Sequence, residues 1–487
     1  MKKQVRFISG RHPLDDQSVQ AAFALARERG IEMYLVGGCI RDAIETEAVA
    51  AKGAPAKSGP FDFDFAIKSN ALEFARDVAD QLAGHYVVLD PQFDIARVVL
   101  ESGNYLDFAG YKSSMHEDLM RRDLTINALA LDGSERDQII DLVGGLEDLE
   151  SNTIRAISEA VLQEDPLRLL RVYRFAVARE ALIESQTRDF VKNNMALLAQ
   201  VAPERINYEF FTLMDKPNAG SYIHEMGAIG LLEAVYPELK DCRRVTANSY
   251  HHLALFDHSL ETVPQLEAML PTLPAYFVES VSQPMSYGVT RLAATKVASL
   301  LHDIGKPGTW EVQPDGRHSF IGHDKLGAEM IRPLAQRAKW PRALTKLVEK
   351  LVLWHLRPGQ LFHTGEPTVK ALNRFYRNVG EDFAELMLLA FADFGSTRGP
   401  GLTGDKREAL SQSLHSLVEG YPAYLESIAN IPKLLGGADV MGLLGIGPGP
   451  IVGEILNALS EAQEFKEVTN TAQAEAFVRS YWDSKKS

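Results

Sequence analysis

Residues 59–66 read GPFDFDFA, which sets Asp62 and Asp64 two positions apart among Phe61, Phe63 and Phe65. Successive strand side chains point to opposite faces, so the two carboxylates share one face and the three rings the other. Two carboxylates that close repel, and each raises the other's pKa, unless a cation lies between them. A divalent metal meets that need, and paired oxygen ligands suit Mg²⁺. The same pattern also describes an amphipathic strand with a solvated acidic face, so spacing alone leaves both readings open.

Other groups with chemical potential flank this pair. YLV runs into Gly37-Gly38 and then Arg41-Asp42. Glycines let backbone N–H groups approach a phosphate closely, and a helix N-terminus favours anions, although a tight turn reads the same way. Downstream lie RRDLTINA (121–128), EDPLRLLR (164–171) followed by Arg174-Phe175, and PERI (203–206) followed by Glu209. On a helix, Asp165 and Arg168 are i and i+3 and lie on one face. A carboxylate only accepts hydrogen bonds and a guanidinium only donates, which suits the edges of cytosine and adenine. Guanine and uracil place a carbonyl where the amino group should be, at a cost of about 1–3 kcal/mol for the unpaired group. The plainer reading makes Asp165 an N-cap, Pro166 the first helical residue, and the pair an ordinary salt bridge.

A second set lies farther along: His302-Asp303 in LLHDIGK, His258 in HHLALFDHSLETV, and Asp393 in FADFGSTRG. Imidazoles and carboxylates drawn from separate helices form a mixed N/O site suited to Mn²⁺, Ni²⁺, Fe²⁺ or Mg²⁺. His251 and His252 compete with His258 for the first position, and His323 and His355 are candidate further ligands or phosphate contacts.

The elements that must position these groups follow from periodicity. Residues 15–29 read as a helix capped by Asp15 or Asp16 and ended by Gly30. IEMYLVGG reads as a short buried strand, with a second helix from Arg41. HYVVLD, ARVVLES and YLDFAG read as further strands, and EAVAAKGAPAKSG as a mobile loop or insertion. From about residue 150 helical periodicity dominates, with breaks near 264–288, 396–405 and 431–450 and an amphipathic helix opening at about Ile451.

A chain of 487 residues exceeds one hydrophobic core. Its formal net charge of −14 argues against indiscriminate nucleic-acid binding. It leaves room for a local basic strip at Arg168, Arg171, Arg174 and Arg179. Two cysteines, Cys39 and Cys242, exclude a disulfide framework and fit a reducing compartment. No apolar run is long enough for a membrane span, and the start MKKQVRFISGRH has no secretory h-region, so a cytoplasmic protein without a membrane partner is expected.

Taken in order over roughly residues 31–210, these motifs resemble the DNA polymerase beta nucleotidyltransferase superfamily. Within it they are similar to class II tRNA nucleotidyltransferases and bacterial poly(A) polymerases. The H…HD…D series resembles the HD phosphohydrolase superfamily, which some tRNA nucleotidyltransferases carry. The resemblance implies an α+β chain: a nucleotidyltransferase head (1–150), a helical neck and body with a nucleotide-selecting helix (151–240), an HD phosphohydrolase-like domain (241–400) and a helical tRNA-binding region (401–487).

It further implies that Asp62 and Asp64 hold Mg²⁺, with Asp107 in YLDFAG as a third carboxylate. Gly37, Gly38 and Arg41 would cradle the triphosphate, with Arg122 near phosphates and Asp123 and Asn127 near the sugar. Asp165 and Arg168 would read the base beside Arg171 and Arg174, with Glu164 and Arg205 as supports. His258, His302, Asp303 and Asp393 would be the core metal ligands of a phosphoesterase acting on a 2′,3′-cyclic phosphate or 2′-phosphate.

The activity implied is template-independent addition of C, as CC or full CCA, to tRNA 3′ ends from CTP and ATP. Full CCA enzymes of this family usually carry a longer loop before the RRD motif. Here only Phe108–Met120 intervenes, which points to CC addition with a separate enzyme adding the final A. The rivals are a poly(A) polymerase, whose bacterial versions tend to carry basic tails, and an HD phosphohydrolase whose head binds nucleotide or RNA.

Overall fold

The computed structural model describes residues 2–44, 61–248, 252–285, 288–315, 317–363, 365–429 and 431–486. The stretch 47–59, expected as a loop, and His251 lie outside the described residues. The chain divides into two compact units. One comprises Met1–Arg244, Pro284–Val297 and Ile331–Thr345; the other comprises Val245–Gln283, Ala298–Met330 and Lys346–Ser487.

The first unit is built on a sheet of β1 (Lys2–Gln4), β2 (Met33–Val36), β3 (Asp62–Ile67), β4 (His85–Asp90), β5 (Ile95–Val99), β6 (Tyr105–Gly110), β7 (Leu129–Asp132) and β8 (Gln138–Asp141). Their order is β1-β8-β7-β2-β3-β6-β5-β4. Strands β1, β7 and β8 are three or four residues long and carry too little alternation to be read from sequence. The β3–β6 pair is parallel and its other neighbours in the sheet are antiparallel.

The aromatic face of β3 is covered by the helices Gln17–Glu28 and Ala71–Leu82. Phe23 meets Phe65 at 5.7 Å, Phe65 stacks on Phe108 at 4.9 Å, and Phe74 meets Phe108 edge-on at 5.4 Å. That packing leaves the carboxylates of β3 on the uncovered side. Asp16, not Asp15, caps the first helix, accepting from the N–H groups of Ser18 and Val19.

The helix after β2 begins at Gly38 rather than Arg41 and runs to Ala43. Gly37 makes this possible: its φ of 78° and ψ of −137° lie where only glycine is comfortable. Two-residue strands also occur past residue 150, Thr153–Ile154 beside Leu182–Ile183 and Glu311–Val312 beside His318–Ser319.

EDPLRLLR is not one helix. A helix ends at Glu164, the next runs Arg168–Arg179, and Asp165 between them is extended. Pro166 cannot donate a backbone hydrogen bond and disfavours helical geometry in the residue before it, which explains the break.

The second unit is helical apart from the short pair Glu311–Val312 and His318–Ser319. Leu255–Met269 runs through Pro264, where a break was expected, because Leu260, Val263 and Leu266 are buried on either side of the proline. Its C-terminal part packs Gly437–Leu444, Pro450–Glu464 and Thr471–Lys486 around Val440, Ile455, Leu459, Ala474 and Val478. Gly449 and Pro450 open the middle helix, one residue before the expected start. No described helix is long and apolar enough to cross a membrane.

Candidate active site and metal centre

The parallel register sets Asp64 beside Asp107, and the antiparallel β5–β6 register sets Arg97 on the other side of Asp107. Three strands thus bring Asp64, Asp107 and Arg97 to one face, with Asp62 two residues along. Arg97 donates from Nε and Nη2 to the two oxygens of Asp107, both at 2.7 Å. Burial, then Asp107 and Asp62, raise Asp64 to about 6, against the pull of Arg122 and Arg97. Those arginines only partly offset burial and the neighbouring carboxylates, and this donor set of oxygens fits a Mg²⁺ ion.

Gly37 closes the other side. A Cβ there would stand 3.2 Å from Arg122 Nη1 and 3.3 Å from Asp64 Oδ2, and one at Gly38 would stand 3.3 Å from Arg41 Nη2. The absence of a side chain at Gly37 leaves room for the Arg122 guanidinium beside Asp64, and its absence at Gly38 leaves room for that of Arg41.

Behind this face the arginines form a network. Arg41 donates to Asn127 Oδ1 and to Asp42 Oδ1, the latter at 2.8 Å. Asn127 donates to Asp123 Oδ1 at 2.9 Å, and Arg171 Nε to Asp123 Oδ2 at 2.7 Å. Burial opposes ionisation of Asp123, but Arg171 and these hydrogen bonds hold it below the usual carboxylate range. Glu209, buried on the helix Pro203–Met214, accepts from Arg171 and Arg174. The guanidinium carbons of Arg41, Arg171 and Arg174 lie 4.9, 5.3 and 4.2 Å from the centre of the Phe175 ring. One ring thus gathers three cations, an arrangement suited to a polyphosphate.

The expected Asp165–Arg168 pair is not formed. Asp165 Oδ2 accepts from Arg205 Nη2 at 2.8 Å, and its Oδ1 accepts from Leu167 N–H at 3.4 Å. Arg168 donates instead to the carbonyls of Arg121 and Val161, at 3.0 and 2.9 Å. Because Asp165 stands before the helix, the i, i+3 geometry does not apply, and Arg205 becomes its ion-pair partner. Glu164 ends the preceding helix and is exposed.

The loop before the RRD motif is shorter than its sequence span suggests. Phe108 to Gly110 complete β6 and Met115–Met120 is helical, so only residues 111–114 connect them.

In the second unit, His258, His302, Asp303 and Asp393 converge. His258 Nε2 lies 3.2 Å from Asp393 Oδ1, and His302 Nε2 lies 3.2 Å from Asp303 Oδ2. His252 is exposed, so His258, fully buried, occupies the first position. His323 and His355 join the same cluster, 3.2 and 3.6 Å from Asp303 Oδ1.

Burial opposes a charged ring at His302, yet Asp303 and Asp393 raise it to about 10. Burial and His302 push His355 down to about 4. His258, His302 and Asp393 can hold one metal, as can His302, Asp303 and His355. Sequence reasoning gave no role to Arg97, Phe175 or Lys306, whose Nζ stands 2.5 Å from Asp303 Oδ2. Only strand register could have placed Arg97 opposite Asp107, but Lys306 lies three residues past Asp303, a readable spacing.

Comparison with known proteins agrees with this division of labour. Residues 33–155 match the Poly A polymerase head domain, 182–243 the probable RNA and SrmB-binding site of polymerase A, and 255–393 the HD domain. An A-adding tRNA nucleotidyltransferase of Deinococcus radiodurans is 34% identical over 91% of this chain and 94% of its own. A CC-adding tRNA nucleotidyltransferase of Thermus thermophilus is 29% identical over 93% of this chain and 94% of its own. The fold is similar to that of the Thermotoga maritima CCA-adding enzyme complexed with tRNA, with a TM-score of 0.60 at 20% identity, covering 99% of this chain and all of that one. With its carboxylate face, its arginine network and a relative of this identity over nearly its whole length, the chain belongs to the tRNA nucleotidyltransferase family of enzymes.

Proposed function

We propose that this enzyme adds cytidines to tRNA 3′ ends from CTP without a nucleic-acid template. The observation that carries the reading is the Asp62, Asp64 and Asp107 face set against Gly37, Gly38, Arg41 and Arg122. Asp62 and Asp64 would hold Mg²⁺, which when bound neutralises phosphate charge and activates the RNA 3′-hydroxyl. Asp107, oriented by Arg97, would be the third carboxylate. Arg41, Arg171 and Arg174 would hold the triphosphate around Phe175, while Asp123 and Asn127 orient the sugar. Asp165 and Arg168 would read the base, Asp165 being held by Arg205 until a nucleotide arrives. The four-part organisation 1–150, 151–240, 241–400 and 401–487 belongs to this proposal, with the last part receiving tRNA.

The four-residue connection at 111–114 supports CC addition. The relative named as A-adding supports a second reading, addition of the terminal A to a tRNA ending in CC. Single-nucleotide product analysis decides between them, using tRNA lacking CCA and tRNA ending in CC, each with CTP, ATP or both. Two additions from CTP and none from ATP support the first reading. One A on the CC-ended tRNA alone supports the second, three additions show a full CCA enzyme, and long A tracts favour poly(A) synthesis.

The HD module would hydrolyse phosphoesters on RNA ends, such as 2′,3′-cyclic phosphates, with a divalent metal held by His258, His302, Asp303 and Asp393. Absence of phosphatase and phosphodiesterase activity with Ni²⁺, Mn²⁺ and Mg²⁺ would remove that part of the proposal.

A further inference from the structure

We infer that Asp118 is a positioning residue of the head: it holds the Arg122 guanidinium beside Asp64, turned for a phosphate, and keeps it from closing on Asp64. This rests on reading Arg122 as a phosphate contact in nucleotidyl transfer.

Asp118 lies on the helix Met115–Met120. Ser114 caps that helix, its Oγ accepting from the Glu117 N–H at 3.3 Å, and Met115 and Leu119 are buried beneath it. The connection back to β6, which carries Asp107, is tied down at the buried Tyr111. The Tyr111 N–H donates to the Ile67 carbonyl at 3.0 Å and its hydroxyl to Glu32 at 2.9 Å. Arg121 caps the C-terminus, and the Arg122 N–H still donates to the Leu119 carbonyl at 3.3 Å, so the turn carries through the motif. Asp118 is thus three residues before one arginine and four before the other. Those spacings share a helix face, and the acid stands on the favourable N-terminal side.

Both oxygens of Asp118 are used. Oδ2 accepts from Arg122 Nε at 3.3 Å and Nη2 at 3.0 Å, and Oδ1 accepts from Arg121 Nη2 at 3.3 Å. The side chains of Asp118 and Arg122 are 17% and 24% exposed, against 66% for Arg121. Solvent therefore weakens the pair with Arg122 less than the pair with Arg121.

The contact decides which side of Arg122 is taken. Its Nε–Nη2 edge rests on Asp118, which leaves Nη1, 3.5 Å from the Asn127 carbonyl. A Cβ on Gly37 would stand 3.2 Å from that Nη1 and 3.3 Å from Asp64 Oδ2, so the two atoms border one opening. Among the described residues Arg122 makes no hydrogen bond to Asp64, although it is the strongest of the cations that pull Asp64 down. A guanidinium that reached Asp64 would cover an oxygen of the carboxylate face and cancel its charge. One that swung away would leave a phosphate unmet. Asp118 competes with Asp64 for Arg122 and so sets its place between these two extremes.

The test is a double-mutant cycle in the full-length chain, using D118A, R122A and the double variant. It reads KM and turnover for nucleotide addition, and equilibrium binding of the same nucleotide without tRNA. D118A should raise KM and weaken binding by about tenfold, the value of a charge-assisted hydrogen bond in a partly solvated site, and lower turnover less. The Mg²⁺ dependence should move to higher concentration as Arg122 turns to Asp64. In the R122A chain the same change should cost nothing further, because Asp118 acts through Arg122. D118E keeps a carboxylate at i, i+4 and should recover most of the loss. A full additional loss in the double variant overturns the inference. So does D118A with unchanged KM and binding while R122A weakens both. Losses in D118A that follow a lowered melting temperature and persist in D118E overturn it as well, leaving Asp118 a role in the fold alone. R122A with unchanged KM and binding would sink the reading of Arg122 as a phosphate contact, and the inference with it.

Discussion

Arg97 and Asp107 face each other across β5 and β6 and share two hydrogen bonds of 2.7 Å in a fork-to-fork arrangement. The pair fixes the rotation of the carboxylate nearest Asp64, and it leaves Asp107 less able to repel its neighbour. Replacing Arg97 with alanine should lower the turnover of nucleotide addition by about tenfold, the value of a charge-assisted hydrogen bond in a partly solvated site. The Mg²⁺ dependence should shift to higher concentration at the same time. Steady-state incorporation against Mg²⁺ concentration checks both, and an unchanged Mg²⁺ curve would remove Asp107 from the metal site.

Asp64 carries a pH signature. Its pKa rises from 3.8 to about 6 on folding. The folded chain therefore holds a proton that the unfolded chain has already lost between those values. The stability this group contributes is fully present below 3.8 and is lost as pH rises through 6. At pH 8 without metal, Asp64→Asn should melt no lower than the parent, and higher if relaxation elsewhere is small, while abolishing nucleotide addition. A large drop in melting temperature would show that Asp64 is paired in the resting protein. In the parent, Mg²⁺ affinity should fall as pH drops below about 6, because ion and proton compete for the same carboxylate.

Base choice should depend on Asp165 and its holder. Asp165→Ala is expected to relax discrimination against GTP and UTP by about tenfold to a hundredfold, the cost of one unpaired buried polar group. Arg205→Ala removes the 2.8 Å ion pair and should relax it less. Unchanged nucleotide preference in Asp165→Ala would end the idea that protein side chains serve as the template.

Glu209 is buried beneath Arg171 and Arg174. Glu209→Ala takes a shared acceptor from two partly buried guanidinium groups and leaves Arg171 with Asp123 alone. The loss should be about 2 kcal/mol of stability, reduced from the fully buried case by the arginines' solvent access. The KM for nucleotide should rise more than turnover falls, since the arginines lose orientation and the carboxylate face is untouched. Denaturant unfolding with substrate titration separates the two effects.

The head was legible because its chemistry is written in short, local patterns. Alternation of Phe and Asp announced the strand at 62–67, and the strands at 85–90, 95–99 and 105–110 carried similar signals. The face opposite Asp107 was not legible, because a cross-strand partner such as Arg97 depends on register, which the turn between β5 and β6 sets. The split of EDPLRLLR was available in principle from Pro166. The periodic leucines that follow it, buried as Leu169 and Leu170, hid the break by extending a helical pattern across it. In the helical half, His258, His302, Asp303 and Asp393 could be gathered by type alone, whereas the splitting of Asp303's two oxygens between four histidines required coordinates.

The head-bearing unit takes back the segments Pro284–Val297 and Ile331–Thr345 after the chain has left it at Arg244. Trp340, from the second of these, packs edge-on against Phe211 and Tyr236 at 5.8 and 6.1 Å. During synthesis, then, the part that carries Asp62 and Asp64 cannot complete its core until the ribosome has passed residue 345, well into the sequence of the other unit. A stop codon or protease cut after Arg244 would release a fragment missing one wall of its interior. The carboxylate face and the buried histidine cluster of this chain are for that reason separable by single substitutions and not by scissors.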